Sequence, residues 1–308
     1  MAKNKKTLPK GISKVQSLRR KIPSVADLTR GIKEGDTTVL ARAITLVEST
    51  HPNHLQKSYE IIENCLSDST DSIRIGITGV PGVGKSTFIE VFGTAITAMG
   101  KKVAVLAVDP TSTFTKGSIL GDKTRMPMLA NDANAFIRPS PSGDSLGGVA
   151  RKTRESVILC EAAGFDVILI ETVGVGQSET AVHSMVDFFL LLKLAGAGDE
   201  LQGIKRGIME MADAVVINKA EGPNLKRALR AKTDFERALH LYPPKENGWI
   251  PKVTTCSALE NTGIEEIWEV IQSYIAMTRK NSSFNKHRSE QNNYWFLQTV
   301  NDLLSHNF

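Results

Sequence analysis

The chain has 308 residues, 41% of them hydrophobic and 23% charged, which is the composition of a globular protein with an extensive core. Its three cysteines, Cys65, Cys160 and Cys256, are widely spaced, which argues against a disulfide framework or a thiolate metal site and predicts a reducing, cytoplasmic compartment. No apolar run approaches the roughly 20 residues of a membrane span, so no membrane association is expected. The longest run, Phe188 to Leu192, predicts a core strand that Lys193 interrupts.

The net charge of +5 is unevenly distributed along the chain. Residues 1–21 contain no acidic residue and eight basic ones: Lys3, Lys5, Lys6, Lys10, Lys14, Arg19, Arg20 and Lys21. We interpret residues 1–23 as a solvated, disordered tail and predict no nucleic-acid partner for the protein. For the tail itself, a targeting presequence and contact with nucleic acid or an acidic partner remain open.

Residues 24–68 carry the apolar periodicity of helices and no catalytic pattern. Ser24 is expected to begin the first helix, with Asp27 three residues later in a variant of the capping box, and Gly35 to end it. Asp36 or Thr37 is expected to cap the next helix. We therefore expect an N-terminal helical region ahead of the main domain.

The stretch from Gly79 to Ser86, with the sequence GVPGVGKS, fills every fixed position of a phosphate-binding loop. The run Ile73 to Thr78 predicts a buried strand before it, and Ser86 to Ala98 predicts a helix after it. Glycines let the backbone N–H groups approach a polyphosphate at the positive end of that helix. Lys85 is expected to bridge the β- and γ-phosphates, and the Ser86 hydroxyl to take one Mg²⁺ position. The sequence thus predicts a nucleotide site.

Apolar runs and helical stretches alternate from Ile73 onward. The further runs are Val103–Val108, Val167–Ile170, Phe188–Leu192, Ala214–Ile217 and Val253–Cys256. Alternation of this kind predicts an α/β fold with a mostly parallel central sheet covered on both faces, here a P-loop NTPase domain over residues 69–280. Ligands of such folds gather at the carboxyl ends of the strands, so the polar residues that follow the runs are the site candidates.

Three carboxylates follow the second and third runs. Asp109 comes directly after Val103–Val108, Asp122 lies in the loop beyond it, and Glu171 follows Val167–Ile170. Nucleotide-hydrolysing enzymes hold Mg²⁺ with a carboxylate at such a place, and Gly174 would let a backbone N–H meet the γ-phosphate. The pattern favours Asp109 and Glu171 as metal residues. For Asp122 a turn residue is an equally good interpretation.

The tetrapeptide Asn218-Lys219-Ala220-Glu221 closes the next strand and nearly matches Asn-Lys-x-Asp. The carboxylate of that motif accepts two hydrogen bonds from the N–H groups of guanine and so rejects adenine. Glu221 keeps the charge and adds one methylene. Ser257 and Ala258, after the last run, would complete the base pocket. The sequence therefore predicts that GTP and GDP are the nucleotides bound.

Four long stretches resemble one family in particular: residues 40–48 (LARAITLVE), 117–126 (GSILGDKTRM), 171–179 (ETVGVGQSE) and 196–205 (GAGDELQGIK). The chain resembles, from about Leu28 to Trp295, the metallochaperone-type P-loop GTPases that serve adenosylcobalamin-dependent methylmalonyl-CoA mutase (MeaB/ArgK-like). Members have often been labelled arginine/ornithine transport kinases. The resemblance implies a GTP-hydrolysing chaperone that gates adenosylcobalamin loading and protects or reactivates a B12-dependent acyl-CoA mutase.

The resemblance also implies a set of site residues. Residues 196–207 would form a mobile segment, called switch III in the family, in which Asp199 and Lys205 are our candidates. The expected nucleotide-binding residues are Gly79, Gly82, Val83, Gly84, Lys85, Ser86, Thr87, Gly174, Asn218, Lys219, Glu221, Ser257, Ala258 and Leu259. The expected metal residues are Ser86, Asp109, Asp122 and Glu171, and the expected catalytic residues are Lys85, Glu171, Asp199 and Lys205.

Family members usually form homodimers through a C-terminal helical arm, and Tyr294 to Leu304 predicts a helix that suits this role within residues 281–308. The partners implied are an acyl-CoA mutase, with methylmalonyl-CoA mutase first among them, and a cobalamin adenosyltransferase. Three departures stand out: Glu221 replaces Asp, Ala195 replaces a usual Pro, and the chain ends at Phe308, earlier than usual, so a shortened arm is expected.

Three other functions remain open on the sequence alone. A GTPase chaperone of another acyl-CoA mutase would carry the same motifs. A nickel-delivery GTPase shares the fold but needs clustered soft or imidazole ligands, and the six histidines are scattered, with His51 and His54 the only close pair. A transport-system kinase would need a phosphoacceptor site or substrate domain, for which the sequence offers no pattern.

Overall fold

The structure, a computed structural model, describes residues 23–66, 71–108, 125–139, 146–172, 178–196 and 206–306. The basic segment of residues 1–21 lies outside these ranges. Five of the expected site residues also lie outside them: Asp109, Asp122, Gly174, Asp199 and Lys205.

A seven-stranded sheet forms the centre of the molecule, with the strand order β3-β2-β4-β1-β5-β6-β7. Every neighbouring pair in it is parallel. The strands are β1 Ile73–Gly79, β2 Val103–Val108, β3 Ala135–Arg138, β4 Val167–Thr172, β5 Phe188–Leu194, β6 Ala214–Asn218 and β7 Lys252–Thr255. The predicted α/β fold with a parallel sheet is confirmed.

Helices cover both faces of the sheet and form regions at both ends of the chain. The bounds are α1 Val25–Lys33, α2 Thr37–Val47, α3 Pro52–Leu66, α4 Lys85–Ala98, α5 Pro127–Ala130, α6 Leu146–Ala162, α7 Ser178–His183, α8 Arg206–Met211, α9 Leu225–Leu239, α10 Ile264–Lys280 and α11 Ser283–His306. None of the helices in the described ranges is both long enough and apolar enough to cross a membrane.

The two faces of the sheet build separate hydrophobic clusters, because successive strand residues point to opposite sides. Ile75 and Ile77 of β1 pack in one cluster with the aromatic residues of α4 and with α10. Ile168 and Ile170 of β4 belong to the other, which is filled by α6 and by residues from the N-terminal helices. The N-terminal helical region thus shares a core with the sheet.

The N-terminal helices begin where the sequence places caps. The Ser24 hydroxyl accepts a hydrogen bond from the Asp27 N–H at 3.1 Å and donates one to its carboxylate at 2.6 Å. Asp36 caps α2 by accepting from the N–H groups of Thr38 and Val39 at 2.7 and 3.0 Å. Gly35, between the two helices, has φ +77°, which glycine adopts without strain.

The structure corrects two sequence predictions and adds one strand that the sequence did not predict. Lys193 does not interrupt β5: it lies inside the strand at 2% exposure, with its ammonium 5.9 Å from the centroid of the Phe235 ring. The strand can continue because the ring face receives the charge. β3, Ala135–Arg138, was not predicted, since four residues are too few to show a period. The final helix begins at Ser283 rather than near Tyr294.

α11 packs its first half against the chain's own domain. Trp295 is buried, and its indole N–H donates to the carbonyl oxygen of Ser184 at 3.0 Å. Other apolar side chains of the helix are exposed: Tyr294, Phe296, Leu297 and Leu304. The helix therefore buries Trp295 against the domain and carries exposed apolar side chains elsewhere on its surface.

Candidate functional site

The phosphate-loop sequence connects β1 to α4 at the carboxyl edge of the sheet. Gly79 and Gly84 have φ of +155° and +93°. A Cβ on Gly79 would lie 2.5 Å from the carbonyl oxygen of Leu192, and one on Gly84 would lie 2.9 Å from the side-chain nitrogen of Asn218. The close approach of Leu192 at Gly79 and the positive φ at Gly84 thus favour glycine at both positions.

Lys85 is the first residue of α4 and is buried at 8% exposure. Its ammonium donates to the carbonyl oxygens of Gly79 and Val80 at 2.8 and 3.3 Å. Burial lowers the pKa of Lys85, and the nearby carboxylates of Glu171 and Glu179 oppose that shift. A desolvated ammonium at the mouth of the loop is suited to bind phosphate oxygens.

Ser86 and Glu171 meet beside the loop. The Ser86 hydroxyl donates to Glu171 Oε1 at 3.3 Å. Glu171 lies near the end of β4, opposite Ile77 of β1. Directly behind it, the buried hydroxyl of Thr172 donates to that of Thr78 at 2.9 Å and so ties the two strands together. A hydroxyl and a carboxylate oxygen are ligand types that Mg²⁺ prefers.

The Asn218-Lys219 pair is hydrogen-bonded to the phosphate loop itself. The Asn218 amide donates to the carbonyl oxygen of Val83 at 2.9 Å, and the Lys219 ammonium donates to that of Gly82 at 2.9 Å. Lys219 has φ +59°, and the Asn224 amide donates to its carbonyl oxygen at 2.6 Å, which supports this uncommon conformation. The end of β6 and the loop after β1 therefore form one connected unit.

The loop after β7 closes the same side of the site. Ser257 pairs through its backbone with Thr262, and its hydroxyl accepts from the N–H of Glu260 at 2.9 Å. Ala258 is buried, whereas Leu259 is 80% exposed. Gly263, with φ +73°, ends the loop where a Cβ would lie 2.3 Å from the carbonyl oxygen of Thr255. The structure thus brings this tight turn to the edge that also carries Asn218.

The comparison with known proteins decides which kind of P-loop protein this is. One family model, described as methylmalonyl Co-A mutase-associated GTPase MeaB, matches residues 40–308. The chain belongs to this family. It is 48% identical over 286 residues to the GTPase ArgK of Escherichia coli, covering 92% of this chain and 86% of that protein.

Two further MeaB-family comparisons agree. The methylmalonic aciduria type A homolog, mitochondrial, of Mus musculus is 44% identical over 291 residues, or 91% of this chain and 70% of that protein. A crystal structure described as LAO/AO transport system kinase matches with a TM-score of 0.79 and 42% identity, covering 92% of this chain and 85% of that one. As a MeaB-family GTPase, the protein binds guanine nucleotide and hydrolyses GTP.

Glu221 is the last residue of the Asn-Lys-x-Asp-like motif, the position that the sequence assigns to guanine recognition. Its Oε2 is buried and has no hydrogen-bond partner within the described ranges. The carboxylate also lies near Cys256, whose pKa is raised to about 12, chiefly by burial and then by this charge. A buried carboxylate oxygen without a donor is costly, so a ligand N–H at this place would stabilise it.

Two residues of the MeaB-family GTPase that the sequence analysis gave no role lie beside the loop. Glu179 is 3% exposed and close enough to raise the pKa of Lys85, and its Oε2 has no hydrogen-bond partner among the described residues. The hydroxyl of the neighbouring Ser178 is likewise buried and unpaired there. Both residues lie at the end of the stretch 171–179, which carries the family resemblance. No general GTPase motif assigns them a role, so their position beside the loop could not be predicted from a motif.

Proposed function

We propose that this MeaB-family GTPase is a chaperone of a B12-dependent acyl-CoA mutase, with methylmalonyl-CoA mutase the first candidate. The observation that carries the proposal is the family match over residues 40–308, a family described as mutase-associated. The mouse relative, named for methylmalonic aciduria, supports the same partner. In this role GTP hydrolysis gates the loading of adenosylcobalamin and protects or reactivates the mutase.

The loop residues have distinct tasks in the proposed site. The backbone N–H groups from Gly82 to Thr87 bind the phosphate oxygens, with the positive end of α4 behind them. Lys85 moves from its bonds with the Gly79 and Val80 carbonyl oxygens to the β- and γ-phosphates. There it stabilises the charge that develops on the transferred phosphoryl group.

Mg²⁺ fits the donor set of this site. Ser86 and Glu171 already place a hydroxyl and a carboxylate oxygen within 3.3 Å of each other, and Asp109 and Asp122 are the further proposed residues. When bound, the ion neutralises charge on the β- and γ-phosphates. Within the described residues no group of three or more His, Cys, Asp or Glu side chains could hold a metal, so nickel delivery gains no support there.

The guanine base is recognised on the side formed by β6 and β7. Glu221 Oε2, which is buried and lacks a donor within the described ranges, accepts hydrogen bonds from the base N–H groups. Asn218 and Lys219 hold the base side against the phosphate loop through Val83 and Gly82. Ser257, Ala258 and Leu259 close the pocket.

Nucleotide state is relayed to the mutase through residues 196–207. β5 lies next to β1 and ends at Leu194, shortly before this segment. We assign Asp199 and Lys205, which lie outside the described residues, to the face that approaches the γ-phosphate. We further propose the division into residues 1–23, 24–68, 69–280 and 281–308, a homodimer through the exposed apolar side chains of α11, a cytoplasmic location, and a cobalamin adenosyltransferase as a second partner.

Affinity capture with measured GTP hydrolysis tests the proposal. Purified protein loaded with a GTP analogue should capture methylmalonyl-CoA mutase from an extract, and the purified mutase should raise the rate of GTP hydrolysis. Capture of a different acyl-CoA mutase would move the assignment to that enzyme. Failure to bind or respond to any B12-dependent mutase would reject the chaperone role and leave only the GTPase assignment.

A further inference from the structure

A cleft of about 690 Å³ lies between α3, α6, α10 and α11. It opens at the amino-terminal edge of the sheet, since it is lined by Arg74 at the start of β1, whereas Gly79 carries the phosphate loop at the other end of that strand. We call it the arginine cleft after four lining residues: Arg74, Arg154, Arg279 and Arg288. The GTPase site uses none of them.

Three of these arginines are neutralised by carboxylates. Arg74 binds Glu161 through two hydrogen bonds, at 2.8 and 2.7 Å. Arg288 binds Asp187 in the same two-bond manner, at 2.7 and 2.6 Å. Arg279 lies 3.6 Å from the carboxylate of Asp71. The first two pairs are largely buried, whereas the Arg279–Asp71 pair is exposed, and each of the three arginines has a carboxylate partner.

Arg154 differs from the other three. Its guanidinium carbon lies 5.7 Å from the ring centroid of Trp295, and it makes no hydrogen bond or ion pair with any residue in the described part of the chain. It is half-buried, and burial followed by the charge of Arg74 lowers its pKa, with Glu155 opposing. Trp295 is itself fixed by its hydrogen bond to the Ser184 carbonyl oxygen at 3.0 Å. A rigid aromatic platform thus holds a guanidinium whose N–H groups have no hydrogen-bond partner among the described residues.

The charges in the cleft leave room for an anion. Within the described residues, the four guanidinium groups are paired with three carboxylates, those of Asp71, Glu161 and Asp187, which leaves the charge of Arg154. The nearby Glu155 has its own partner in Arg151. Gln291 also lines the cleft, and its amide N–H donates to the carbonyl oxygen of Val186 at 2.8 Å. Its Oε1 is buried without a partner among the described residues and can accept a hydrogen bond from a hydroxyl.

We propose that the arginine cleft binds an oxyanion, a phosphate ester or a carboxylate, through the guanidinium of Arg154 held on the Trp295 ring. The planar fork of arginine matches two oxygens of either group. The site is separate from the nucleotide site, so its occupation does not depend on the proposed mutase partner.

Thermal melting with inorganic phosphate tests the site. The full chain is saturated with a non-hydrolysable GTP analogue and Mg²⁺ so that the γ-phosphate position is also filled, and phosphate is titrated at constant ionic strength against chloride. A ligand that binds the folded state raises the melting temperature with its concentration. A parallel titration with succinate distinguishes phosphate from carboxylate as the preferred group.

Arg154→Gln should lower the affinity for the preferred anion about 10-fold, the order of magnitude expected for a charge-assisted pair of hydrogen bonds. The matched control is Arg151→Gln, on the same helix, whose partner is Glu155 at 3.7 Å and which does not line the cleft. This control should bind as the wild type does. Arg154→Lys, which keeps the charge but not the fork, should lose at least about 3-fold and serves if the Gln variant does not fold.

Two results would overturn the proposal. The first is a wild-type melting temperature that neither anion raises beyond chloride. The second is an unchanged affinity in both Arg154 variants.

Discussion

Arg288 of α11 donates hydrogen bonds to both carboxylate oxygens of Asp187, the residue that precedes β5. The Asp187 side chain is only 1% exposed and also accepts from the backbone N–H of Arg74 in β1, at 2.8 Å. Burial on its own would lower the pKa of Arg288. The hydrogen bonds to Asp187, together with the charges of Asp187, Glu161 and Asp71, outweigh it and raise the pKa. This one carboxylate therefore fastens the last helix to the starts of two central strands.

Removing the cation of this pair should be costly. We expect Arg288→Gln to lower the free energy of unfolding by about 3 kcal/mol, because it leaves a buried carboxylate without its partner. Urea denaturation measures the loss. The control is Lys286→Gln on the same helix, whose pair with Glu290 is exposed and spans 3.7 Å, and which should cost no more than about 0.5 kcal/mol. A loss below about 1 kcal/mol for Arg288→Gln would show that the pair with Asp187 contributes little to holding α11 on the domain.

Lys85→Ala should abolish GTP hydrolysis while leaving the fold intact. The ammonium donates to the carbonyl oxygens of Gly79 and Val80, and it is the group assigned to charge on the transferred phosphoryl group. We expect a fall in kcat of at least about 100-fold, the scale seen when one preorganised donor is removed. Phosphate release and thermal melting measure the two effects, and near wild-type turnover would exclude Lys85 from the mechanism.

Glu221→Asp should bind GDP more tightly than the wild type, by about 1 kcal/mol, the net value of one hydrogen bond. The longer Glu side chain must fold back to reach the base, at the cost of rotamer entropy. Titration calorimetry with GDP and with ADP measures the change, which should be confined to GDP. Equal affinity of the wild type for GDP and ADP would show that Glu221 does not read the base.

Protonation of His183 should destabilise the fold in acid. Its pKa is lowered to about 4, mainly by burial and then by the charges of Lys245 and His287. The unfolded chain therefore binds this proton first, near the ordinary pKa of about 6.5, so the stabilisation is complete above that pH and is lost as pH falls toward 4. The loss attached to this group is about 2–3 kcal/mol.

Urea denaturation between pH 7 and pH 4 measures that loss. His183→Gln should flatten the profile, whereas the exposed His240→Gln should leave it unchanged. An equally steep profile in His183→Gln would assign the acid sensitivity to other groups.

Partner stimulation of GTP hydrolysis should depend on Lys205. The residue directly after Gly174 is Val175 and the first glutamine is Gln177, so no side chain in the sequence is an obvious water-positioning group for the free protein. Ordering of residues 196–207 by the mutase would supply one. Phosphate release with and without the mutase, for wild type and Lys205→Ala, measures this. A full stimulation of the variant would keep the gating and exclude Lys205.

Local patterns predicted most of the sheet and the centre of the site. The runs before Gly79, Glu171 and Asn218 are apolar because both faces of the sheet are covered, so each strand and the polar residue at its end stand out in the sequence. The glycine positions and Ser24 follow from backbone conformation and capping, which are local as well.

What the sequence did not show depends on long-range contacts. Lys193 lies inside β5 with its ammonium near the ring of Phe235, which belongs to α9 and is distant in the sequence. The first half of α11 has few apolar residues at helical spacing, and it is held by Asp187, about a hundred positions earlier in the chain. The carboxylate oxygens of Glu179 and Glu221 that lack a partner among the described residues are likewise visible only once their neighbours are in place.

β1 is hydrogen-bonded on both edges, with Ile77 opposite Glu171 and Gly79 opposite Leu192. The register of β1 with β4 and with β5 therefore fixes the position of the phosphate loop at the edge of the sheet. Adding two residues to β1 would keep its side chains on their proper faces but lift the loop by about 6.6 Å past both neighbours. The hydrogen bond between Ser86 and Glu171 would then be lost on one side, and the close approach of Gly79 to Leu192 of β5 on the other. The length of β1 is therefore fixed by its two neighbours, because a longer or shorter strand would disrupt the contacts of the loop with both β4 and β5.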